Sequence, residues 1–321
     1  MKSHLNLAYA GSTIKKPFVN FGDGLSAVVI ALLTQRRIIR ANFDSESYRF
    51  SAIGTILHSF NNGHVDVWGT GLDSRIGQGS EFYAGPKSPH TVLKLHAVRG
   101  RFTSSHLSCL GYNDPCRYGD PALLIKLFIK SNLIKNENKN KVGIVCHFTE
   151  FETYSPNSFP KLDRQRYHNL DPDQFAVINP LVMPNAVSVI NKVKEIASYG
   201  FILSTSLHGL IIADAFGIPC AMLGSQNIEP ARLCNFDYSS PIDHRFRDYH
   251  SGLSIPWTPV FSVPYNSQLD YYSCVNFLTT LLDKTKQIDR SVDMLLNSFP
   301  LELNIYNNEH WRPLESLVPL V

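Results

Sequence analysis

Residues 199–219, YGFILSTSLHGLIIADAFGIP, most strongly constrain how this chain can fold. They predict a buried strand over 201–204, a tight polar turn, and a helix that begins at Gly209. His208 lies in that turn, directly before the helix. A helix N-terminus presents unpaired N–H groups and the positive end of the helix dipole, so it favours a phosphate or carboxylate. A histidine beside such an anion can exchange protons with it, which indicates an anion-handling active site.

The size and composition of the chain indicate a globular protein with two α/β domains. Its 321 residues exceed one ordinary core. Apolar residues make up 44% and charged residues 18%, as in soluble proteins. The net charge of +3 is too weak to indicate a nucleic-acid partner, and we expect none. A mildly positive cleft for a small anion fits this charge equally well.

The cysteines and the apolar runs predict a cytoplasmic protein. The six cysteines are scattered and form no C-x-x-C, which is typical of reduced thiols and not of disulfides or a zinc site. Polar residues interrupt the apolar N-terminal run, so no signal peptide is predicted. The longest apolar run, residues 25–33, is too short to span a bilayer. Peripheral contact with the inner face of a membrane stays open, and no metal site is expected.

Strands and helices alternate on both sides of residues 130–141, a polar stretch without periodicity that we interpret as an interdomain linker. The predicted division is an N-terminal α/β domain over 1–135, a C-terminal α/β domain over 136–288, and a tail over 289–321 that could pack back on the first domain. Alternating strands and helices predict a mostly parallel sheet in each half. Ligands of such sheets bind beyond the carboxyl ends of the strands, in a cleft between the halves.

Two further helices are predicted outside the motifs discussed below. Asp120-Pro121 is a start signal for a helix over 122–129, because aspartate suits the cap and proline the first turn. One long helix is predicted over 269–287.

The first candidate site is NFGDG at residues 20–24, predicted to lie between a strand and a helix. Gly22 and Gly24 permit a tight turn and close backbone approach to a ligand. Asp23 could cap the helix or orient a sugar hydroxyl. A plain capped turn is an equally open interpretation.

The second candidate is the end of the strand at residues 67–71, VWGTG. Gly69, Thr70 and Gly71 could expose backbone N–H groups to a ligand. The pattern does not extend to G-x-G-x-x-G, and no P-loop sequence occurs, so neither nucleotide fingerprint is present. The signal is weak and is typical of a strand-to-loop turn.

Two arginines mark the next strand-to-helix junction, AVRGRFT at residues 97–103. A planar guanidinium binds carboxylate or phosphate through two parallel hydrogen bonds. We predict ligand contact for Arg99, at the strand end, while Arg101 could equally be a solvated surface charge.

In the second half, His147 follows a predicted strand and could point toward the cleft, although a structural histidine is equally possible. Cys146 before it is interpreted as buried packing. The run at residues 244–247 is interpreted as a solvated face. The turn before His208 supplies three hydroxyls as predicted anion contacts, from Ser204, Thr205 and Ser206. Gly209 at the helix start is a further predicted contact, and Glu229 and Arg232 of a later loop could also line the cleft.

Taken in order, these stretches resemble the polysaccharide pyruvyl transferase family. Any one is weak, but the collinear set is specific. The matching stretches are NFGDGL (20–25), SAIGTILH (51–58), VWGTG (67–71), AVRGRFT (97–103), YGDPALL (118–124), KVGIVCHF (141–148), INPL (178–181) and STSLHGLIIADAFGIP (204–219).

The resemblance implies an α/β fold of two Rossmann-like domains facing a cleft, similar to glycosyltransferase type B. Members of the family take phosphoenolpyruvate as donor substrate and place a pyruvate ketal across two hydroxyls of a sugar in a surface polysaccharide, such as a capsule or exopolysaccharide, or its precursor. No cofactor is implied. The acceptor saccharide could be polyprenyl-diphosphate-linked, and the oligomeric state is left open.

Carried over position by position, the family histidine falls on His208 and the family arginine on Arg99. His208 would act as acid toward the enol carbon or as base toward the hydroxyl. Some relatives carry a further arginine where this chain has Ser206. His147, Arg101 or Arg232 could fill that gap.

Two alternatives stay open. One is a nucleotide-sugar-dependent glycosyltransferase or epimerase of the same fold. The other is a non-catalytic glycan- or anion-binding module, which is favoured if Arg99 and His208 are far apart or buried.

Overall fold

The architecture is that of a computed structural model, which describes residues 4–73, 90–135, 137–304, 314–315 and 318. Its strands are β1 (His4–Leu7), β2 (Val19–Asn20), β3 (Arg37–Arg40), β4 (Arg49–Ser51), β5 (Gly63–Thr70), β6 (Thr91–Val98), β7 (Asn138–Val145), β8 (Phe175–Ile178), β9 (Leu181–Val182), β10 (Tyr199–Ser204), β11 (Cys220–Gly224), β12 (Ala231–Cys234) and β13 (Trp257–Ser262). Its α-helices are α1 (Phe21–Thr34), α2 (Arg101–Cys109), α3 (Ala186–Ala197), α4 (Leu207–Ala215), α5 (His244–Gly252), α6 (Tyr271–Thr279) and α7 (Thr285–Ser298).

Two mainly parallel sheets carry the fold, which confirms the mixed α/β prediction. The first has the order β3-β1-β4-β5-β6, and the second has the order β12-β13-β11-β10-β7-β8, with β12 antiparallel to β13. In the first sheet β1 lies between β3 and β4, and in the second sheet β7 lies between β8 and β10. Ligands of open parallel sheets bind where the strand order reverses, beyond the carboxyl ends. In the second sheet that point lies between β7 and β10.

Several contacts join the two halves. β2 pairs with β9, and α1 packs on α3. The largest buried apolar cluster takes residues from both sheets and from α7. Trp68 of β5 donates its indole N–H to the Leu295 carbonyl at 3.0 Å, so α7 lies against the first sheet. The domain boundaries themselves stay a prediction, and tail residues 305–313, 316–317 and 319–321 lie outside the described residues.

Three helices near the site differ from what the sequence predicts. The α1 helix begins at Phe21, because the Asn20 side chain accepts the Gly22 N–H and caps it, so Asp23 lies in the first turn. The α4 helix begins at Leu207, which brings His208 into its first turn. The helix expected over 122–129 is a 3-10 helix, Pro121–Leu127.

Two longer segments also differ. The single helix expected over 269–287 is wrong: α6 ends at Thr279 and α7 begins at Thr285, where Asp283 accepts the Thr285 N–H and starts a new helix. The expected linker is shorter than predicted, because β7 begins at Asn138, which pairs with Tyr199 of β10. Polar residues here form a strand because the neighbouring strand supplies the pairing.

Candidate active site

Three polar side chains from distant parts of the chain meet in the interior. Arg99 follows β6, Asp120 precedes the 3-10 helix, and His208 lies in the first turn of α4. Arg99 and Asp120 are fully buried, and His208 is 7% exposed. Arg99 Nη2, Asp120 Oδ2 and His208 Nε2 each have no hydrogen-bond partner among the described residues. Leaving such an atom without a partner costs roughly 1–3 kcal/mol, so a polar ligand that reached these three atoms would be stabilised by them.

The Arg99 guanidinium is held with one nitrogen left over. Its Nε donates to Asp248 Oδ2 at 3.0 Å, and its Nη1 donates to Thr55 Oγ1 at 2.6 Å. Gly71 provides the space, because a Cβ at this position would lie 2.3 Å from the Arg99 Cζ. The Nη2 group therefore has no partner among the described residues, and ligand contact through it stays a prediction.

The His208 imidazole is neutral at ordinary pH. Burial, and then the charges of Arg99 and Arg245, lower its pKa to about 3. Its Nε2 lies 3.9 Å from Asp120 Oδ2. Its Nδ1 lies against the backbone of Gly22, where a Cβ would come within 2.1 Å. Gly22, the first glycine of the NFGDG stretch, therefore helps to position His208.

Asp120 is the residue that sequence reasoning recognised only as a helix cap. That role is present, since Oδ1 accepts the Ala122 N–H at 3.0 Å. The other oxygen faces His208. Burial raises the pKa of this carboxyl to about 6, while the Arg99 charge opposes the rise. The YGDP match in the family resemblance was the available signal for Asp120.

A polar cleft of about 310 Å³ opens beyond the carboxyl ends of β7 and β10, at the reversal point of the second sheet. His147 lies in its wall, with Nδ1 2.7 Å from Thr149 Oγ1. Burial, and then the Arg245 charge, lower the pKa of His147 to about 4. Other polar lining residues are Thr205, Arg164, Ser225, Gln226, Asp243 and Arg245.

Arg245 lines the cleft and lies close enough to His208 for its charge to lower the pKa of that histidine. It forms a two-pronged ion pair with Asp243, with both nitrogen-to-oxygen distances at 3.0 Å. Its charge lowers the pKa values of Asp23, His147 and His208. The interpretation of residues 244–247 as a solvated face is wrong here, because α5 packs on α2 and turns this arginine into the cleft.

Asp23 lies in the first turn of α1 and is mostly buried. Burial raises its pKa to about 7, against the charge of Arg245. This carboxyl can therefore hold a proton close to neutral pH. Its role in orienting a sugar hydroxyl stays a prediction.

Some predicted contacts lie elsewhere. Arg101 is exposed, with its guanidinium over the Tyr118 ring at 4.8 Å. Arg232 is exposed on the edge strand β12 and lies over the Trp257 ring at 5.4 Å. Glu229 is exposed in the loop before β12. The structure does not bring these three residues to the buried cluster, because edge strands and helix surfaces turn their side chains to solvent.

Other predicted residues support the site through the backbone. Gly69 has a φ of +86° and lies against Pro121, while Thr70 bonds the Ala52 carbonyl. Ser204 Oγ bonds the carbonyls of Val145 and Ser206.

Three further predicted residues lie at the start of α4 or directly before it. Ser206 is the N-cap of α4, and Gly209 lets the helix approach Val145 closely. Thr205 lines the cleft, and its hydroxyl donates a hydrogen bond to the Glu150 carboxylate.

Within the described ranges, no group of three or more histidine, cysteine or acidic side chains could hold a metal ion. No helix in the described part of the chain has the length and apolar character needed to cross a bilayer. Burial raises the pKa of the Cys146 thiol well above its usual value, in keeping with a packing role.

Two comparisons with known proteins bear on this site. The family model of polysaccharide pyruvyl transferase matches residues 90–227. This range contains Arg99, Asp120, His147 and His208, and the match confirms the family resemblance over it. The uncharacterized protein L143 of Acanthamoeba polyphaga mimivirus is 24% identical over 284 residues, which cover 86% of either chain.

Proposed function

Because residues 90–227 match the polysaccharide pyruvyl transferase family, we propose that this protein transfers pyruvate from phosphoenolpyruvate to two hydroxyls of a sugar. The product is a pyruvate ketal on a surface polysaccharide or its lipid-linked precursor. One observation carries the proposal: Arg99, Asp120 and His208 lie together inside the matched segment, each with an unpartnered buried polar atom. A cation, an acid and a neutral imidazole are the groups that this reaction needs.

The donor carries a carboxylate and a phosphate, which call for more than one positive group. Arg99 Nη2 and the first turn of α4 supply the first anion contact. Arg245 supplies the second, in the place that Ser206 leaves open. Its charge reaches His208, whereas Arg101 and Arg232 lie on other surfaces.

The reaction begins with a proton added to the methylene carbon, which builds positive charge on the adjacent carbon. A sugar hydroxyl attacks that carbon and loses its proton to a base. Phosphate departs, and a second hydroxyl closes the ketal. His208 takes part in proton transfer, since it is neutral and its Nε2 is unpartnered.

The acceptor sugar occupies the 310 Å³ cleft beside His147. Hydroxyl, amide and guanidinium groups line this cleft, as sugar recognition requires. The two sheets act as two Rossmann-like domains of the glycosyltransferase type B kind. A polyprenyl-diphosphate-linked acceptor would bring the cytoplasmic protein to the inner face of the membrane.

The test is phosphate release from phosphoenolpyruvate with a panel of galactosides and N-acetylhexosamines, including lipid diphosphate-linked ones, followed by mass analysis. We expect one acceptor to gain a pyruvate ketal, with loss of product in Arg99→Ala and His208→Ala. Arg232→Ala replaces an exposed arginine on β12; it is the matched control and should retain activity. Release that persists in His208→Ala would overturn the assignment of the histidine.

A non-catalytic anion-binding module is the second candidate, and the burial of Arg99 and His208 is the observation that favours it. A binding module and an enzyme both predict that phosphoenolpyruvate raises the melting temperature, because a ligand of the native state stabilises it. Only the enzyme releases phosphate. A thermal shift without turnover on any acceptor would support the module. No shift with phosphoenolpyruvate, but one with uridine nucleotides, would overturn both in favour of nucleotide-sugar chemistry.

A further inference from the structure

We infer that Asp120 is the acid that protonates the methylene carbon of the donor, and that His208 is the base that receives the proton of the attacking hydroxyl. This inference rests on the proposed function and divides the proton transfers between two residues.

The carboxyl of Asp120 is oriented for this role. Its Oδ1 accepts the Ala122 N–H at 3.0 Å, which fixes the carboxyl plane and leaves Oδ2 facing His208 Nε2. These two atoms are 3.9 Å apart, which is too far for a hydrogen bond between them. Since a normal hydrogen bond spans about 2.8 Å, one ligand atom can reach both groups at once.

The charges around Asp120 are mixed. Arg99 approaches from the end of β6 and lowers its pKa, as does the Ala122 N–H of its own 3-10 helix. Asp248 of α5 raises it, and His208 of α4 is neutral. Burial outweighs these charges and brings the Asp120 pKa to about 6, while the His208 pKa falls to about 3.

Environments that push two neighbouring pKa values apart define an acid and a base. Near pH 6 the carboxyl holds a proton in about half of the molecules, while the imidazole holds no extra proton. An anionic donor beside Asp120 raises its pKa further, because a like charge disfavours the carboxylate. Asp120 therefore stays protonated in the complex. His208 is neutral there, and its unpartnered Nε2 is placed to take the hydroxyl proton as the new carbon–oxygen bond forms.

The Asp120 proton adds to the methylene carbon, which becomes a methyl group, and the first hydroxyl bonds to the adjacent carbon as its proton moves to His208. The bond from carbon to the phosphate oxygen breaks, the electron pair leaves with phosphate, and His208 returns its proton to that phosphate. The second hydroxyl bonds to the same carbon and gives its proton to Asp120, which restores the acid.

The variant Asp120→Asn keeps the cap, because an amide oxygen also accepts the Ala122 N–H, but it cannot donate an acidic proton. We expect kcat to fall by roughly 10²–10⁴-fold. KM for phosphoenolpyruvate and the thermal shift that it produces should change little, which a merely structural role would not predict. Asp293→Asn, an exposed carboxylate on α7, is the matched control.

The pH profile gives a measurement on the unmodified protein. We expect kcat/KM to fall as pH rises above about 6, since the free enzyme loses the Asp120 proton there. The residual activity of Asp120→Asn should lack this alkaline decline. An active wild-type enzyme without the decline, or an Asp120→Asn variant with unchanged kcat, would overturn the inference alone. A wild type that forms no ketal on any acceptor overturns the proposed function as well.

Discussion

The backbone of Gly22 lies directly against the imidazole of His208. A Cβ at residue 22 would stand 2.1 Å from His208 Nδ1 and 2.4 Å from its Cγ. The first turn of α1, capped by Asn20, thereby presses on the first turn of α4. The position of the His208 ring therefore requires a residue without a side chain at position 22, in the other half of the chain.

Gly22→Ala is therefore expected to displace the imidazole and to lower ketal formation by at least 10²-fold, because a shift of about 1 Å in a positioned group has that effect. Activity and the far-ultraviolet circular dichroism spectrum should be measured together. Gly11→Ala is the control, since a Cβ there meets only the flexible end of Arg40. Equal activity in the two variants would contradict the positioning role.

The buried ion pair between Arg99 and Asp248 should matter for stability. Asp248 also accepts the N–H and the hydroxyl of Thr103, at 2.9 and 2.7 Å. Asp248→Asn leaves a buried guanidinium without its counter-charge, so we expect the free energy of unfolding to fall by about 3–5 kcal/mol in urea titrations. Asp289→Asn removes the surface partner of Lys126 and should cost less than about 1 kcal/mol. Similar losses of unfolding free energy in the two variants would show that the buried pair stabilises the fold no more than the surface pair does.

Arg245 is expected to bind the donor. Arg245→Gln should raise KM for phosphoenolpyruvate by about 10-fold or more and reduce its thermal shift, since a charge-assisted contact is lost. Arg245→Lys should recover part of the affinity, because the charge returns without the planar fork. Arg232→Gln is the matched control on β12 and should leave KM unchanged. An Arg245→Gln variant with normal KM would contradict the assignment of the second anion contact to Arg245.

The buried histidines should make the protein sensitive to acid. Burial lowers the pKa of His250 to about 4, below the value of about 6.5 in an unfolded chain. The unfolded state then binds more protons between these values, so stability is complete above about pH 6.5 and is lost as pH falls toward 4. The difference amounts to about 3 kcal/mol for this residue.

His250→Gln should flatten the pH dependence of the unfolding free energy between pH 6.5 and 4, as followed by urea titration. His4→Gln replaces an exposed histidine and should leave the slope unchanged. If His250→Gln keeps the slope of the wild type, another group is responsible for the acid sensitivity.

Local sequence patterns were sufficient for the elements around the site. The strand, turn and helix at 199–219 are present, although the helix begins at Leu207. Arg99 follows a strand as predicted, because apolar alternation and a following glycine are short-range signals. The same signals misplaced Arg101 and Arg232, because a residue's position after a strand does not decide where its side chain points.

The sequence by itself determined the α/β alternation and the family resemblance, and it singled out His208 and Arg99 as candidate site residues. Only the tertiary structure placed Asp120 beside His208, turned Arg245 into the cleft and paired Arg99 with Asp248, 149 residues away. These contacts arise where α1, α4 and α5 pack against different strand ends. Periodicity describes which face of an element is buried, whereas the neighbour of that face depends on how distant elements pack together.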